Sequence, residues 1–250
     1  MQTVYFHGFS GDSEGLRALA QAMPYENYHL YTLPGFENRS MTVAERDNLH
    51  VYVERIVKEI AALFPGQEIH LVGHSHGAMI GFAVAADSAS LVKRLTLINP
   101  IHSPRMLSRI TARFATTASK IDRNDLMAKI LRKRVFVDIA SSHMTKHETP
   151  QGKAVVRDIR RKESHYYTND MMLLARHVKQ FRKQYAHKYV TIPTTIVYGA
   201  EDNVSGASDH EWYSKHCHGD VRILKHEGGH LRVITQPDEV GAILSYKDIT

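Results

Sequence analysis

The chain has 250 residues, 43% hydrophobic and 23% charged, with a formal net charge of +6; that profile excludes a disordered chain and allows one large buried core. Its longest apolar runs are strand-sized, which excludes a helix of the ~20 residues needed to cross a bilayer. Cys217 is the single cysteine, which excludes an internal disulfide, and with no basic leader or small-residue cleavage site ahead of the first apolar run the expected setting is cytoplasmic.

In chain order, the first strand signal covers residues 3–7 and is followed by a helix-length stretch at 13–22. A second short run at 29–33 leads to an amphipathic stretch at 43–64, which Pro65 and Gly66 end. Runs at 69–73 and 94–99 flank a helical stretch at 75–87. After a long middle segment come two more runs, 194–199 and 222–225, and a helix at 236–245 with Pro237 in its first turn. Continuous apolar runs of this kind suit strands buried on both faces. The alternation predicts an α/β protein built on a mostly parallel, doubly wound sheet.

The middle segment, 103–187, interrupts that alternation. Pro104 opens one helix, 122–134 suits another, and 168–184 a longer one in which Leu173, Leu174, Val178 and Phe181 repeat at helical spacing. The expectation is a helical cap inserted into a core formed by 1–102 and 188–250. It would cover the carboxyl ends of the strands, where open α/β sheets bind ligands. Residues 101–190 hold 20 Lys and Arg against 7 Asp and Glu, whereas the rest of the chain holds 12 against 19. Two readings stay open: solvated helix faces, or a surface that attracts an anionic substrate or an acidic carrier protein.

The chemistry concentrates in three places. Gly73-His74-Ser75-His76-Gly77 fits G-x-S-x-G between a strand signal and a helix signal, the context that motif requires. Ser75 is the expected nucleophile, and the backbone N–H of His76 an oxyanion donor. Asp202 lies just past the run 194–199, where a carboxylate can reach a histidine on the next loop; Glu201 is its rival. His230 follows Gly228 and Gly229 after the last strand signal. Among 17 histidines, position and the chain order Ser, Asp, His select it, with His226 as the alternative. The histidine removes the serine proton, and the aspartate fixes its tautomer and stabilises its charged form.

His7-Gly8-Phe9 after the first strand offers the N–H of Phe9 as a second oxyanion donor, with Ser10 as a side-chain donor. His7, His74, Arg39 (as a carboxylate binder), Tyr166 and Tyr167 are candidate substrate contacts. His216-Cys217-His218 reads as a surface loop. Neither a metal nor a cofactor is expected, since a triad needs none. The clusters Arg132-Lys133-Arg134 and Arg160-Arg161-Lys162 lack the aromatic interleaving of single-strand nucleic-acid surfaces, so no nucleic-acid partner is expected.

With these residues in view, the chain resembles α/β-hydrolase-fold proteins with a helical cap over essentially its whole length. The resemblance is carried by His7-Gly8-Phe9, Leu33-Pro34-Gly35-Phe36, Gly73 to Gly77, Gly199-Ala200-Glu201-Asp202 and Gly229-His230. His7 to Asp12 is similar to the oxyanion loop of the menaquinone-pathway synthase that eliminates pyruvate. Leu33 to Phe36 and the basic segment resemble the esterase that demethylates pimeloyl-carrier-protein methyl ester, in which basic cap residues meet the acidic carrier. Meta-cleavage-product hydrolases share the triad and cap and cleave a C–C bond. The resemblance implies a hydrolase of carboxylic esters or thioesters, small or carrier-bound. C–C hydrolysis or elimination on the same residues is the alternative, and a ligand-binding scaffold or a nucleic-acid-binding protein the readings from other classes.

Overall fold

Six short apolar segments pair into one sheet: β1 (Gln2–Phe6), β2 (Tyr28–Tyr31), β3 (Ile69–His74), β4 (Val92–Ile98), β5 (Thr194–Gly199) and β6 (Val221–His226). The structure, a computed structural model, describes residues 1–8, 13–25, 27–37, 39–102, 148–150, 152–154, 156 and 167–245. The strand order is β2-β1-β3-β4-β5-β6, and every pairing is parallel. All residues of the central strands β1 and β3 are buried, as expected for strands covered by helices on both faces. The edge strand β6 leaves Ile223 exposed on its open side.

The chain moves from β1 outward to β2, then returns past β1 to β3 and continues the other way. The winding therefore reverses between β1 and β3. Loops leaving the carboxyl ends of neighbouring strands diverge at such a reversal and open a crevice. The two loops at this point begin with His7-Gly8 and with Ser75.

A 3-10 turn (Ser13–Leu16) leads into α1 (Arg17–Ala22), and the later helices are α2 (Val43–Asp47), α3 (Leu49–Leu63), α4 (His76–Asp87), α5 (Tyr167–Gln184), α6 (Ala207–His216), α7 (Arg232–Thr235) and α8 (Pro237–Ser245). The helix predicted at 43–64 is two helices. Asn48 adopts an extended conformation between them and accepts a hydrogen bond from the His50 N–H, and Thr42 and Glu45 form a capping box ahead of α2. Asn at that point competes for the backbone as a cap and restarts the helix. The sequence pattern predicts no helix at α6. Its run ASDHEWYSKH buries Asp209 and Tyr213 together, which blurs the apolar period on which such an assignment rests.

Two apolar layers flank the sheet. Leu49, Tyr52, Ile56 and Ile60 of α3, Ile80 and Phe82 of α4, and Tyr213 of α6 pack on one face. Leu16, Leu19, Val233, Val240 and Leu244 cover the other face over Tyr5, Val72, Ile98 and Val197. Helix α4 is buried all round, which explains its uniformly apolar sequence. Helix α5 contacts α2, α3 and α4, and its Leu173, Leu174, Val178 and Phe181 join the first layer. The helices expected from Pro104 and at 122–134 lie outside the described residues. Among the described residues no helix is long and apolar enough to cross a membrane.

Candidate active site

Strand β3 ends at His74 and α4 starts at His76, leaving Ser75 alone in the turn with φ 55° and ψ −116°. That sparsely populated conformation costs on the order of 1–3 kcal/mol and persists only where its surroundings impose it. Here the strand, the helix and β1 crowd together. A Cβ on Gly77 would lie 2.3 Å from the Phe6 carbonyl oxygen and 2.4 Å from that of His7, and one on Gly73 would lie 2.5 Å from the Gly77 carbonyl oxygen. Only glycine permits this approach. The Ser75 N–H donates to the carbonyl of Ile98 at 2.9 Å and ties the turn to β4.

The structure brings Ser75, His230 and Asp202 together. Ser75 Oγ is 2.8 Å from His230 Nε2, and His230 Nδ1 is 2.8 Å from Asp202 Oδ2. Asp202 follows β5, and His230 follows β6 through Gly228, whose φ of 118° turns the chain back. Asp202 Oδ1 accepts the N–H groups of Val204 at 2.7 Å and Ser205 at 2.9 Å. Burial alone would raise the Asp202 carboxyl, but the attraction and hydrogen bond of His230 and these amides outweigh it and hold it below its usual value. An ionised Asp202 only accepts, so His230 carries its proton on Nδ1 and turns the Nε2 lone pair to the serine hydroxyl. Glu201, the rival carboxylate, is exposed, and its N–H donates to the Gly228 carbonyl. His226 ends β6 with Nδ1 toward the Glu227 carbonyl.

Two residues brace the histidine loop. His74 Nε2 and Asn99 Nδ2 each donate to the His230 carbonyl at 3.0 Å. Asn99 Oδ1 also accepts the Gly199 N–H at 2.9 Å, so one amide side chain ties the Asp202 loop to the His230 loop. Asn99 is fully buried and sits at φ 46°, a region that favours Asn over other non-glycine residues. The sequence pattern alone places Asn99 at the end of a strand and does not reveal this role. The available signal was a polar residue ending an otherwise apolar run. Asn99→Ala leaves a buried N–H unpaired and puts alanine in a strained conformation, a cost of about 2–4 kcal/mol. Thermal unfolding should show a fall in Tm on the order of 10 °C; a change under about 2 °C would remove Asn99 from this role.

His76 contributes backbone and ring separately. Its N–H belongs to the first turn of α4, whose donors have no intrahelical acceptor, and so is free for an oxyanion at Ser75. Its buried ring pairs with His177 of α5, Nε2 to Nδ1 at 3.1 Å. Burial, then the neighbouring His177, pushes His76 well below the usual histidine range, and burial with Arg176 does the same to His177.

The other expected contacts divide. A Cβ on Gly8 would lie 3.3 Å from Ser75 Cβ, so the chain leaving β1 starts against Ser75. Phe9 and Ser10 lie outside the described residues, as do Tyr166 and the side chain of Tyr167. His7 holds backbone, with Nδ1 toward the Gly8 carbonyl at 2.9 Å and Nε2 accepting the Leu33 N–H at 3.1 Å. His74 is buried and bonded to the His230 loop, and burial pushes it down to about 3. Arg39, expected to bind a substrate carboxylate, binds Glu59 of α3 instead, donates to the Thr32 carbonyl, and lies over the Tyr31 ring at 4.9 Å. The reason is proximity of a partner the sequence pattern did not place. Burial would raise Glu59, but Tyr31, Arg55 and Arg39 together bring it to about 2. Cys217 closes α6 as a buried residue rather than in a surface loop, its thiol pushed up to about 12 by burial. Among the described residues no group of His, Cys, Asp or Glu could hold a metal ion.

The sequence profile of the alpha/beta hydrolase family matches residues 4–243. A Monkeypox virus protein named as a monoglyceride lipase homolog is 21% identical over 197 residues, 78% of this chain and 67% of that protein. Among solved structures, a thermophilic esterase from Thermogutta terrifontis aligns with a TM-score of 0.72 at 17% identity over 98% of this chain and 88% of its own. The 2-hydroxy-6-oxo-6-phenylhexa-2,4-dienoate hydrolase of a Rhodococcus strain aligns with a TM-score of 0.73 at 13% identity over 100% and 90%.

Proposed function

The chain belongs to the alpha/beta hydrolase family and is a hydrolase; from that premise we propose that it cleaves carboxylic esters or thioesters with Ser75 as nucleophile, His230 as general base and Asp202 as the residue that orients and charges the histidine. The observation that carries this reading is the 2.8 Å approach of Ser75 Oγ to His230 Nε2, with Asp202 behind the ring at the same distance. His230 takes the Ser75 proton as Oγ attacks the acyl carbon. The resulting oxyanion is held by the His76 N–H, with the Phe9 N–H expected from the sequence as its second donor. His230 then protonates the leaving alcohol or thiol, and next removes a proton from water, which releases the acid and restores the serine. The name of the viral relative makes acyl esters of alcohols the first class to try. An acyl group on an acidic carrier protein is the extension that the basic segment 101–190 favours.

A series of p-nitrophenyl esters from acetate to decanoate tests this. Turnover is expected, and the chain-length optimum measures the acyl pocket. No turnover on any ester, with Ser75 still labelled by a fluorophosphonate, would move the reading to C–C hydrolysis or elimination on the same residues.

A further inference from the structure

The hydrogen bonds of the acid member do not stop at Asp202. Its Oδ2, the oxygen that takes the His230 Nδ1 proton, is also 3.1 Å from Ser205 Oγ. Ser205 Oγ is in turn 3.0 Å from His210 Nε2. Ser205 is buried, and the His210 ring lies on Tyr198, with centroids 4.6 Å apart and planes 30° apart.

Counting donors settles the direction of each bond. Asp202 is ionised and can only accept, so the Ser205 hydroxyl donates to it. That hydroxyl has one proton, now committed, so it must accept from His210, which therefore carries its proton on Nε2. The relay runs His210 to Ser205 to Asp202, and it converges with His230 on a single carboxylate oxygen. We propose that Ser205 and His210 are positioning residues that extend the triad, holding the Asp202 carboxylate in plane and sharing its charge so that less of it falls on His230. The proposal rests on the triad reading above.

The physical consequence has a sign. A donor to Asp202 competes with His230 for the negative charge. Removing that donor strengthens the pull of Asp202 on the His230 ring and favours the imidazolium. The charged and titratable groups that bear on His210 are Asp202, Asp209 and His230. Asp209 is itself engaged by His102 at 2.8 Å and by the Gly206 N–H at 2.8 Å, so it leaves His210 to the Ser205 route. Burial keeps His210 below the usual histidine range, which leaves its ring neutral near pH 7.

The test reads His230 directly and needs no turnover. In protein carrying 13C-labelled histidine, the ring carbon of His230 is followed by NMR from pH 4 to 9, assigned by its loss in His230→Asn. Ser205→Ala should raise the His230 titration midpoint by on the order of half a pH unit. His210→Phe, which keeps a ring on Tyr198 but loses the donor, should move it the same way. Ser205→Thr and His210→Gln retain the donors and should leave it in place. On a turned-over ester, Ser205→Ala should lower kcat several-fold with little change in KM. If Ser205→Ala and His210→Phe both titrate as the wild type does, the relay is structural packing only and the proposal falls. Fluorophosphonate labelling of the wild type reports separately on whether Ser75 is the nucleophile.

Discussion

Ser75→Ala should lower ester hydrolysis by about 10⁴- to 10⁶-fold while the protein stays folded. On the proposed mechanism the hydroxyl supplies the attacking atom, and neither the His76 N–H nor the remaining histidine can replace it. What survives is the modest acceleration from oxyanion stabilisation and binding alone. The fold should survive because the strain of the turn comes from Gly73, Gly77 and the β1 carbonyls around it rather than from the side chain. Alanine is smaller than serine and inherits a backbone already held by the Ile98 carbonyl. Initial rates on the best p-nitrophenyl ester, with circular dichroism of both proteins, check this. A variant within tenfold of the wild-type rate would show that another residue carries the attack.

The second large effect concerns acid. His74, His76 and His177 are all fully buried and all depressed, chiefly by burial. The unfolded chain protonates each near pH 6.5, whereas the native state keeps them neutral well below that. A depressed histidine binds fewer protons folded than unfolded, so stability rises with pH through the window between the two values. Its contribution is fully present above about pH 6.5 and is lost as the pH falls toward 3. His74 and His177 together remove about 3 kcal/mol per pH unit across that window, a large share of the stability of many domains, and His76 adds a loss of the same sign. Asp202 and Glu59, both held low, add their own loss only at more acid pH, since their unfolded values lie near 4. Urea unfolding at pH 7, 6 and 5 should show this steep decline, and His177→Gln should flatten it by roughly a third. Equal unfolding midpoints at pH 7 and 5 would contradict the neutral burial of these rings.

How far the sequence reached is clearest at the Ser75 turn. Gly73 and Gly77 were readable because glycine spacing encodes a backbone approach that no other residue permits, and the order of Ser75, Asp202 and His230 follows from where strands end. Asn99, Ser205 and His210 were not readable. Each is a polar residue whose partner lies on a different strand or across a turn, and no local period records such a pairing. Arg39 shows the reverse: the sequence offers it after the turn at 33–35 as a binder of a substrate carboxylate, and folding sets Glu59 and Tyr31 beside it.

The sequence by itself determined the alternation of strands and helices, the parallel sheet and the strained serine turn, and it singled out Ser75, Asp202 and His230, which folding brings within hydrogen-bond reach of one another. These are local properties, expressed by apolar period, glycine placement and position at strand ends. Only the tertiary structure decided which polar groups hold those three in place and which histidines are sealed in neutral form. That depends on distances between segments more than a hundred residues apart, such as Asn99 to His230 or His76 to His177. A chain encodes such distances only through the packing of the whole core.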